Sequence, residues 1–413
     1  MGDFFRMPVA ILRRYYRKLW VRVSLYALLS LIVAVIEPII ARWIDIDAAP
    51  KIESGAVMSV LSILASSMLA VSTFSLNVMV TAHRGAAQNQ TPRIHRLLLE
   101  DTTTQSVLAS FIGAFVYSLT TIILIQSGLY ADNSTFITMC VTVLVVVLVI
   151  AAMLRWIDHL SKLGSLDDSM RNVHDLAQDG LCAFARTPAL GGNPITSDTV
   201  LPETLTDVRA PGSGYMQLID APGLEEALSG GSCIYVTLSP GSPVLRGQPI
   251  AQVSGHVSDE DLETLARCFV IGDMRTYEQD PAFGLSVLSE ISSRALSPGI
   301  NDPGTAIEAV TRLESLLWEY AQETGDDDGV DYPHVFIAVP SAHDLMDAAF
   351  AGTARDGAAM IEVATHLRGA LKRLAMSPDE RVNEAAVAMS RLAHLHAEKA
   401  LPLDAERKRL ENV

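Results

Sequence analysis

The sequence lacks the short motifs that mark the best-known enzyme classes. It contains no GxxxxGK[ST] phosphate loop, no GxSxG, no HExxH and no GxGxxG. Each of these motifs places a nucleophile, a metal or a phosphate at a defined turn, and none of those turns is present. Nothing in the residues therefore favours an enzyme, and we expect neither a cofactor nor a metal site.

Cysteine and lysine are also scarce. The four cysteines lie far apart without CxxC spacing, which argues against a disulfide framework or a zinc site. No lysine occurs between Lys162 and Lys372, although PGSPVLRGQPIAQV within that interval resembles the turn and strand chemistry of biotinyl-lipoyl half-barrels. Those domains need an acceptor lysine, so a covalently attached cofactor is excluded.

Positive charge is sparse in the second part of the chain. Residues 1–160 hold 12 Lys and Arg against 9 Asp and Glu, whereas residues 161–413 hold 19 against 38, a net charge of −19. Nucleic-acid binding needs clustered Lys and Arg to neutralise phosphates, so a nucleic acid is not expected as partner. The charge division predicts a membrane part followed by an acidic domain.

Four long apolar runs fill the first 160 residues, at about 19–40, 56–81, 107–125 and 137–154. About 20 apolar residues suffice for a helix to cross the hydrocarbon core. The first run is too long for a cleavable signal peptide and has no small-residue cleavage site, so it should remain in the mature protein. We predict a polytopic α-helical membrane protein with an α+β cytoplasmic domain.

The distribution of Lys and Arg predicts the orientation of these spans. Six precede or open the first span, two lie in the 41–55 loop, three in the 83–106 loop and none in the 126–136 loop. Positive residues stay on the cytoplasmic side, so both termini should be cytoplasmic. With four spans, a bacterial inner membrane is the expected location.

The second run carries more polarity than a lipid-facing helix needs. At about 100° per residue, six polar residues fall close to one line and form what we call the polar stripe. If the stripe serves helix packing, its small residues let membrane helices approach closely. If it forms a water-lined wall, its residues would face the axis of a homo-oligomer that passes a small ion. The candidate pore-lining residues are Ser59, Ser62, Ser66, Thr73, Asn77 and Arg84.

Two further features of the spans concern packing and the membrane surface. Glu37 and Pro38 lie near the end of the first run, where a carboxylate can reach lipid headgroups or Arg42, and we interpret Glu37 as interfacial. The third run places small residues at helix-contact spacing, which predicts close backbone approach. These small residues are Ser106, Ser110, Gly113, Ala114 and Ser118.

Two stretches of the chain carry a resemblance to a known family. They read FSLNVMVTAHRGAAQNQTPRIHRLLLEDTTTQSVLASFIGAFVYSL and TYEQDPAFGLSVLSEISSRALSPGINDPGTA. The chain resembles the bacterial predicted membrane protein family called domain of unknown function 2254, over most of its length. Gly299 and Gly304 depart from that family's pattern around the second stretch. The resemblance implies a membrane protein and no particular activity.

The second part of the chain divides by pattern. We predict a connector helix and loop over 161–211, a small β-module over 212–257 and a mostly helical cytoplasmic domain over 258–413. Within the mostly helical domain, the run from Val335 to Ser341 predicts one buried strand. Helix starts are predicted after caps at Ser258, Asp280, Asp302 and Ser377.

The densest polar constellation combines GDMRTYEQDPAFG with SPGINDPG. Two Asp-Pro helix starts could offer N–H donors to a small ligand, or both aspartates could be caps with Arg275 as their ion-pair partner. We expect the two motifs to meet in space. The candidate ligand-binding residues are Arg275, Gln279, Asp280, Asn301 and Asp302.

Two functions from different classes remain open on the sequence alone. One is an oligomeric ion channel in contact with membrane lipid, regulated by its acidic cytoplasmic domain. The other is a membrane-anchored sensor or scaffold without conductance.

Overall fold

A computed structural model describes residues 19–43, 53–89, 93, 102–130, 135–160, 165–196, 198–228, 231–255, 257–323 and 329–412, without side chains for 41–43, 83 and 86–89. The described chain forms two compact units, one within residues 5–168 and the other within 169–413. Each unit has its own buried core. The division agrees with the change of composition in the sequence.

The N-terminal unit consists of long apolar helices. Their bounds are α1 Leu19–Trp43, α2 Ser54–Asn89, α3 Thr102–Gln126 and α4 Thr135–Leu160. Each contains a segment long and apolar enough to cross a membrane, the shortest having 22 residues, which corresponds to about 33 Å at 1.5 Å per residue. The prediction of four apolar helices is confirmed.

Helix α3 is the inner helix of this unit, because α1, α2 and α4 all pack against it. Its Phe111 and Tyr117 are almost completely buried. A side-chain carbon added at Gly113 would lie 3.0 Å from Ser30 Oγ and 3.5 Å from Tyr26 Cβ of α1. The small residue therefore permits the close approach that the sequence predicted. The polarity of α2 predicts that it is the inner helix of a bundle or of an oligomer. Within one chain α2 buries only one of its faces, so the position inside an oligomer stays a prediction.

Two sheets lie in the C-terminal unit. A five-stranded sheet has the order β1-β8-β4-β6-β2, with β8 parallel to both β1 and β4, and a three-stranded antiparallel sheet has the order β5-β3-β7. The strands are β1 Asn193–Ile195, β2 Leu205–Arg209, β3 Gly214–Ile219, β4 Ile234–Val236, β5 Pro243–Val244, β6 Pro249–Ser254, β7 Phe269–Gly272 and β8 Val335–Ala338.

The strands are not confined to the β-module predicted at 212–257. Strands β1 and β2 lie in the segment predicted as a loop, and β7 lies beyond the module. The strand predicted from Val335 is confirmed as β8, which lies between β1 and β4 in its sheet. The strands β1, β2 and β7 have three to five residues and carry little local signal, so partners distant in sequence decide where they form.

The remaining helices lie within residues 166–411, before, between and after the strands. Helices α8 to α12 pack against one another, while α6 and α7 belong to the core of the sheets. This α+β architecture agrees with the predicted fold class. The helices are α5 Leu166–Arg186, α6 Ala221–Ala227, α7 Asp259–Arg267, α8 Pro281–Ala295, α9 Pro303–Gln322, α10 Ala342–Asp356, α11 Ile361–Leu374, α12 Glu380–Ala400 and α13 Asp404–Glu411.

The predicted helix caps are confirmed at Ser258 and Asp302. Ser258 forms a reciprocal capping box with Asp261, and Asp302 accepts a hydrogen bond from the backbone N–H of Thr305 at 3.1 Å. The cap predicted at Ser377 is wrong, because α12 begins at Glu380 and Asp379 accepts from the N–H of Arg381. Asp379 directly precedes the first helical residue, so its side chain lies closer than that of Ser377 to the free N–H groups of the first turn.

Candidate functional site

The polar stripe lies on the exposed face of α2. All six stripe residues, from Ser59 to Arg84, have exposed side chains in the isolated chain. The opposite face, which includes Val57, Leu61 and Met68, is buried. The positions of these two sets on a helix of 3.6 residues per turn are about 150° apart. Helix α2 thus uses its apolar face for contacts within the chain and leaves its polar face free.

The stripe hydroxyls donate their hydrogen bonds back to their own helix. Ser59 donates to the Gly55 carbonyl at 2.9 Å and Thr73 to the Leu69 carbonyl at 2.9 Å, while Ser66 donates to the Ser62 carbonyl at 3.0 Å. A hydroxyl group has one proton and two lone pairs. Because these three protons are used inside the helix, Ser59, Ser66 and Thr73 present oxygen lone pairs outward, whereas Asn77 and Arg84 carry N–H donors.

Glu37 is buried inside the N-terminal unit and not exposed at a membrane surface, so its interfacial interpretation is wrong. Glu37 is only 2% exposed. The hydroxyls of Tyr117 and Tyr130 lie 3.4 Å and 3.3 Å from Glu37 Oε2. A glutamate side chain points toward the N-terminus of its helix, which carries this carboxyl away from the helix end and toward α3. The sequence could not show this, because Tyr117 is 80 residues away.

In the C-terminal unit, Arg275 and Asp280 form a bidentate ion pair. Arg275 Nε and Nη2 donate to the two carboxylate oxygens of Asp280 at 2.7 Å and 2.9 Å. Asp280 is 4% exposed, and the guanidinium also lies over the Phe283 ring at 5.2 Å. Burial raises the pKa of Asp280, and the hydrogen bonds and charge of Arg275 oppose that rise. The pair anchors the start of α8.

Two neighbours complete this cluster. The side-chain amide of Gln279 accepts a hydrogen bond from the N–H of Ile219 at 2.7 Å and donates one to the Ile219 carbonyl at 3.1 Å. It thus pairs with the last residue of β3 as the backbone of a neighbouring strand would. Gly241 has a φ of +88°, and a side-chain carbon built there would lie 2.0 Å from Asp280 Oδ2. Sequence reasoning missed Gly241, because its Pro-Gly turn signal gives no hint of the aspartate that lies against it. Arg275, Gln279 and Asp280 are thus engaged with the protein itself.

The structure does not bring the two predicted motifs together. The N–H of Asp302 donates to the Ala295 carbonyl at the last residue of α8, whereas Asp280 precedes the first residue of that helix. Fourteen residue steps along a helix span about 21 Å. Consecutive helices joined by a short loop place the start of the second beside the end of the first, which separates the two Asp-Pro starts.

Asn301 and Asp302 are part of that short loop. Asn301 is exposed with a left-handed φ of 53°, a conformation that asparagine tolerates better than most residues. Asp302 also accepts from the Thr305 hydroxyl at 2.6 Å. These contacts account for the loop and the cap, and the ligand-binding role of the five residues stays a prediction.

Comparison with known proteins agrees with the class of protein that these helices define. Residues 16–373 match the family described as "Predicted membrane protein (DUF2254)". The chain belongs to this family, which confirms the resemblance. Four apolar helices of membrane-spanning length are consistent with a location in a membrane.

Relatives occur in mycobacteria. Uncharacterized proteins of Mycobacterium bovis and of two strains of Mycobacterium tuberculosis are 27% identical to this chain over 285 residues. The similarity covers 66% of this chain and 54% of each relative, so the chain spans about half the length of the curated relatives it matches. No solved structure matches the chain.

Proposed function

We propose that the protein forms a homo-oligomer in the bacterial inner membrane in which the polar stripes of several α2 helices surround a path for small ions. The observation that carries this proposal is the position of the stripe on the face of α2 that the chain itself leaves uncovered. In this arrangement the N- and C-termini are cytoplasmic, and the C-terminal unit regulates the path from the cytoplasm.

The cost of leaving the stripe against lipid supports an oligomer. The hydroxyls are satisfied within the helix, but the primary amide of Asn77 has two donors and an acceptor that hydrocarbon cannot meet. Moving an amide from water to a hydrocarbon costs about 4–8 kcal/mol without compensating hydrogen bonds. Water on a shared axis, or the stripe of another copy, removes that cost. Four spans are too few to enclose such a path, so several chains are required.

The outward hydroxyl oxygens favour a cation over an anion, although Asn77 and Arg84 in the same stripe also carry N–H donors. Hydroxyl oxygens whose protons are used inside the helix can replace the hydration water of a cation but offer an anion no donor. The charge of −19 over residues 161–413 attracts cations to the cytoplasmic side as well, although salt screens this attraction within about 8 Å. We therefore expect cations to pass.

The second candidate is a membrane-anchored sensor or scaffold without conductance. It is favoured by the same internal hydrogen bonds, because a stripe of satisfied small residues also suits dry helix packing between two chains. In that case α2 helices meet directly, and the large C-terminal unit carries the activity.

Flux through liposomes containing the purified protein distinguishes the two. Replacement of Ser66 by leucine would fill and dry the path and should abolish cation flux. Ser67 differs from Ser66 by about 100° around the helix and is half-buried, so Ser67→Leu is the matched control and should retain most flux. Equal flux in the parent and both variants, or no flux in the parent at any voltage, would favour the scaffold.

Cross-linking tests the oligomer separately from conductance. In a chain without its native cysteines, Ser66→Cys should form intermolecular disulfides in the membrane. Leu148→Cys on α4 is the control, since Leu148 is 58% exposed but lies on an apolar helix face. Equal cross-linking at both positions would contradict an interface at the stripe.

A further inference from the structure

Pro38 breaks the hydrogen-bond ladder of α1 at one defined point. A proline has no N–H, so the carbonyl four residues earlier, that of Ala34, has no helical donor. The hydroxyl of Tyr130, which follows α3, donates to this carbonyl at 2.8 Å. Because an unpaired carbonyl inside a membrane helix bundle is costly, this contact commits the one proton of Tyr130.

Glu37 lies next to this contact. Its Oε2 is 3.3 Å from the Tyr130 hydroxyl and 3.4 Å from the Tyr117 hydroxyl, which itself lies 3.3 Å from Thr142 Oγ1. Its other oxygen, Oε1, is buried and has no hydrogen-bond partner among the described residues. No arginine or lysine side chain that the structure describes forms an ion pair with it within 4 Å.

The groups around this carboxyl are few and mostly neutral. On helix α4, the hydroxyl of Thr138 hydrogen-bonds to Glu37, and that of Thr142 contacts Tyr117. On α2, Val57 and Leu61 lie in the apolar cluster that contains Tyr117. The titratable groups that face Glu37 in the described structure are Tyr117 and Tyr130. An ionised carboxylate would thus be buried with one bare oxygen and no countercharge among the side chains that the structure describes, which is unfavourable in a protein interior.

The hydroxyl of Tyr130 has one proton and lies near two acceptors, the Ala34 carbonyl and Glu37. If Tyr130 donates to Ala34, its oxygen can only accept from Glu37, and a hydrogen bond between them requires a proton on the carboxyl. With that proton present, Glu37 donates to Tyr130, Tyr130 donates to Ala34, and Tyr117 is free to donate to Glu37 or Thr142. Without it, Tyr130 cannot serve both acceptors: either the Ala34 carbonyl is left without a donor, or the carboxylate keeps only Tyr117 and Thr138 as donors.

We propose that Glu37 is an intramembrane proton-binding site, in which a neutral carboxyl donates to the Tyr130 hydroxyl that caps the carbonyl freed by Pro38. Its ligand is a proton from water, and binding converts the carboxylate to a carboxylic acid by forming one O–H bond. The site does not depend on ion passage along the polar stripe, since the hydrogen bonds that define it come from Tyr117, Tyr130 and Thr138.

Infrared difference spectroscopy of the full chain in liposomes tests the site. The parent should show the carbonyl stretch of a protonated carboxylic acid at neutral pH, with a shift on exchange into heavy water and reversible loss at alkaline pH. Glu37→Gln should abolish this band. Glu53→Gln is the control, because Glu53 is an exposed carboxyl just before α2, and it should leave the band unchanged.

Three further results keep the proposal falsifiable. Tyr130→Phe removes the acceptor and should shift the band to higher frequency, whereas Tyr26→Phe, at a tyrosine on α1, should not. Should Glu37→Gln fail to fold, Glu37→Asp should move the band instead of removing it. A parent without an acid band at neutral pH, or a carboxylate signal that responds to sodium or potassium at constant pH, would overturn the proposal in favour of an ionised group or a metal-cation site.

Discussion

Replacing Gly241 by alanine should destabilise the C-terminal unit far more than an ordinary glycine substitution. Its φ of +88° costs an alanine about 1–2 kcal/mol. The new carbon would also lie 2.0 Å from Asp280 Oδ2, and that carboxylate cannot move away without breaking both hydrogen bonds from Arg275. Breaking a buried ion pair costs about 3–5 kcal/mol. We expect a total loss of about 4–7 kcal/mol in the free energy of unfolding.

The chain offers a matched control. Gly247 has nearly the same left-handed φ, +81°, but a side-chain carbon there would meet nothing within 4 Å. Gly247→Ala should therefore cost only the conformational term of about 1–2 kcal/mol. In an Asp280→Ala background, the cost of Gly241→Ala in free energy of unfolding should fall to the same value, because the carboxylate with which the new carbon collides is gone.

Thiol labelling of Cys268 across a urea series measures these differences in the full chain. Cys268 is 8% exposed in the core of the sheets, and burial, with a smaller effect from the Asp220 charge, raises its pKa to about 11. It should react only when the unit opens, provided that the other three cysteines are replaced by alanine. Equal labelling of Gly241→Ala and Gly247→Ala would refute the close contact with Asp280.

Two other predictions concern local features. Asp302→Ala should lower the free energy of unfolding by about 1 kcal/mol, as expected for a helix cap, and Asp302→Asn by less. The hydrogen bonds of Thr305 lower the pKa of Asp302, so the cap is fully effective above the unfolded-state pKa and is lost as pH falls through the folded-state pKa. Thermal unfolding by circular dichroism should therefore show the deficit of Asp302→Ala shrinking in acid, and a deficit that grows in acid would contradict the cap. For topology, single cysteines at Ser54 and Ser127 should react with an impermeant maleimide on intact cells, and a cysteine at Leu403 only after permeabilisation; the reverse pattern would invert the proposed orientation.

The helices of the first unit could be predicted because their signal is local. Every backbone hydrogen bond of a membrane-spanning helix closes within four residues, and hydrocarbon demands a long apolar run, so composition alone located the four helices. Caps such as Ser258 and Asp302 were predictable for the same reason, since their partners lie three residues away. The cap at Asp379 was missed because two suitable side chains compete over one turn.

Other features were not local. Strand β8 takes its place in the sheet from β1 and β4, which pair with its two edges, and Gly241 is constrained by an aspartate 39 residues further along the chain.

The sequence by itself determined the class of protein, the number of apolar helices and the line of the polar stripe, because these depend on composition and on the pitch of a helix. Only the tertiary structure decided that the stripe faces away from the chain and that Glu37 is buried beside Tyr117 and Tyr130. The physical reason is that a polar helix face or a carboxyl has the same intrinsic chemistry wherever it lies. Burial and hydrogen-bond partners, supplied by parts of the chain far away in sequence, determine what that chemistry can do.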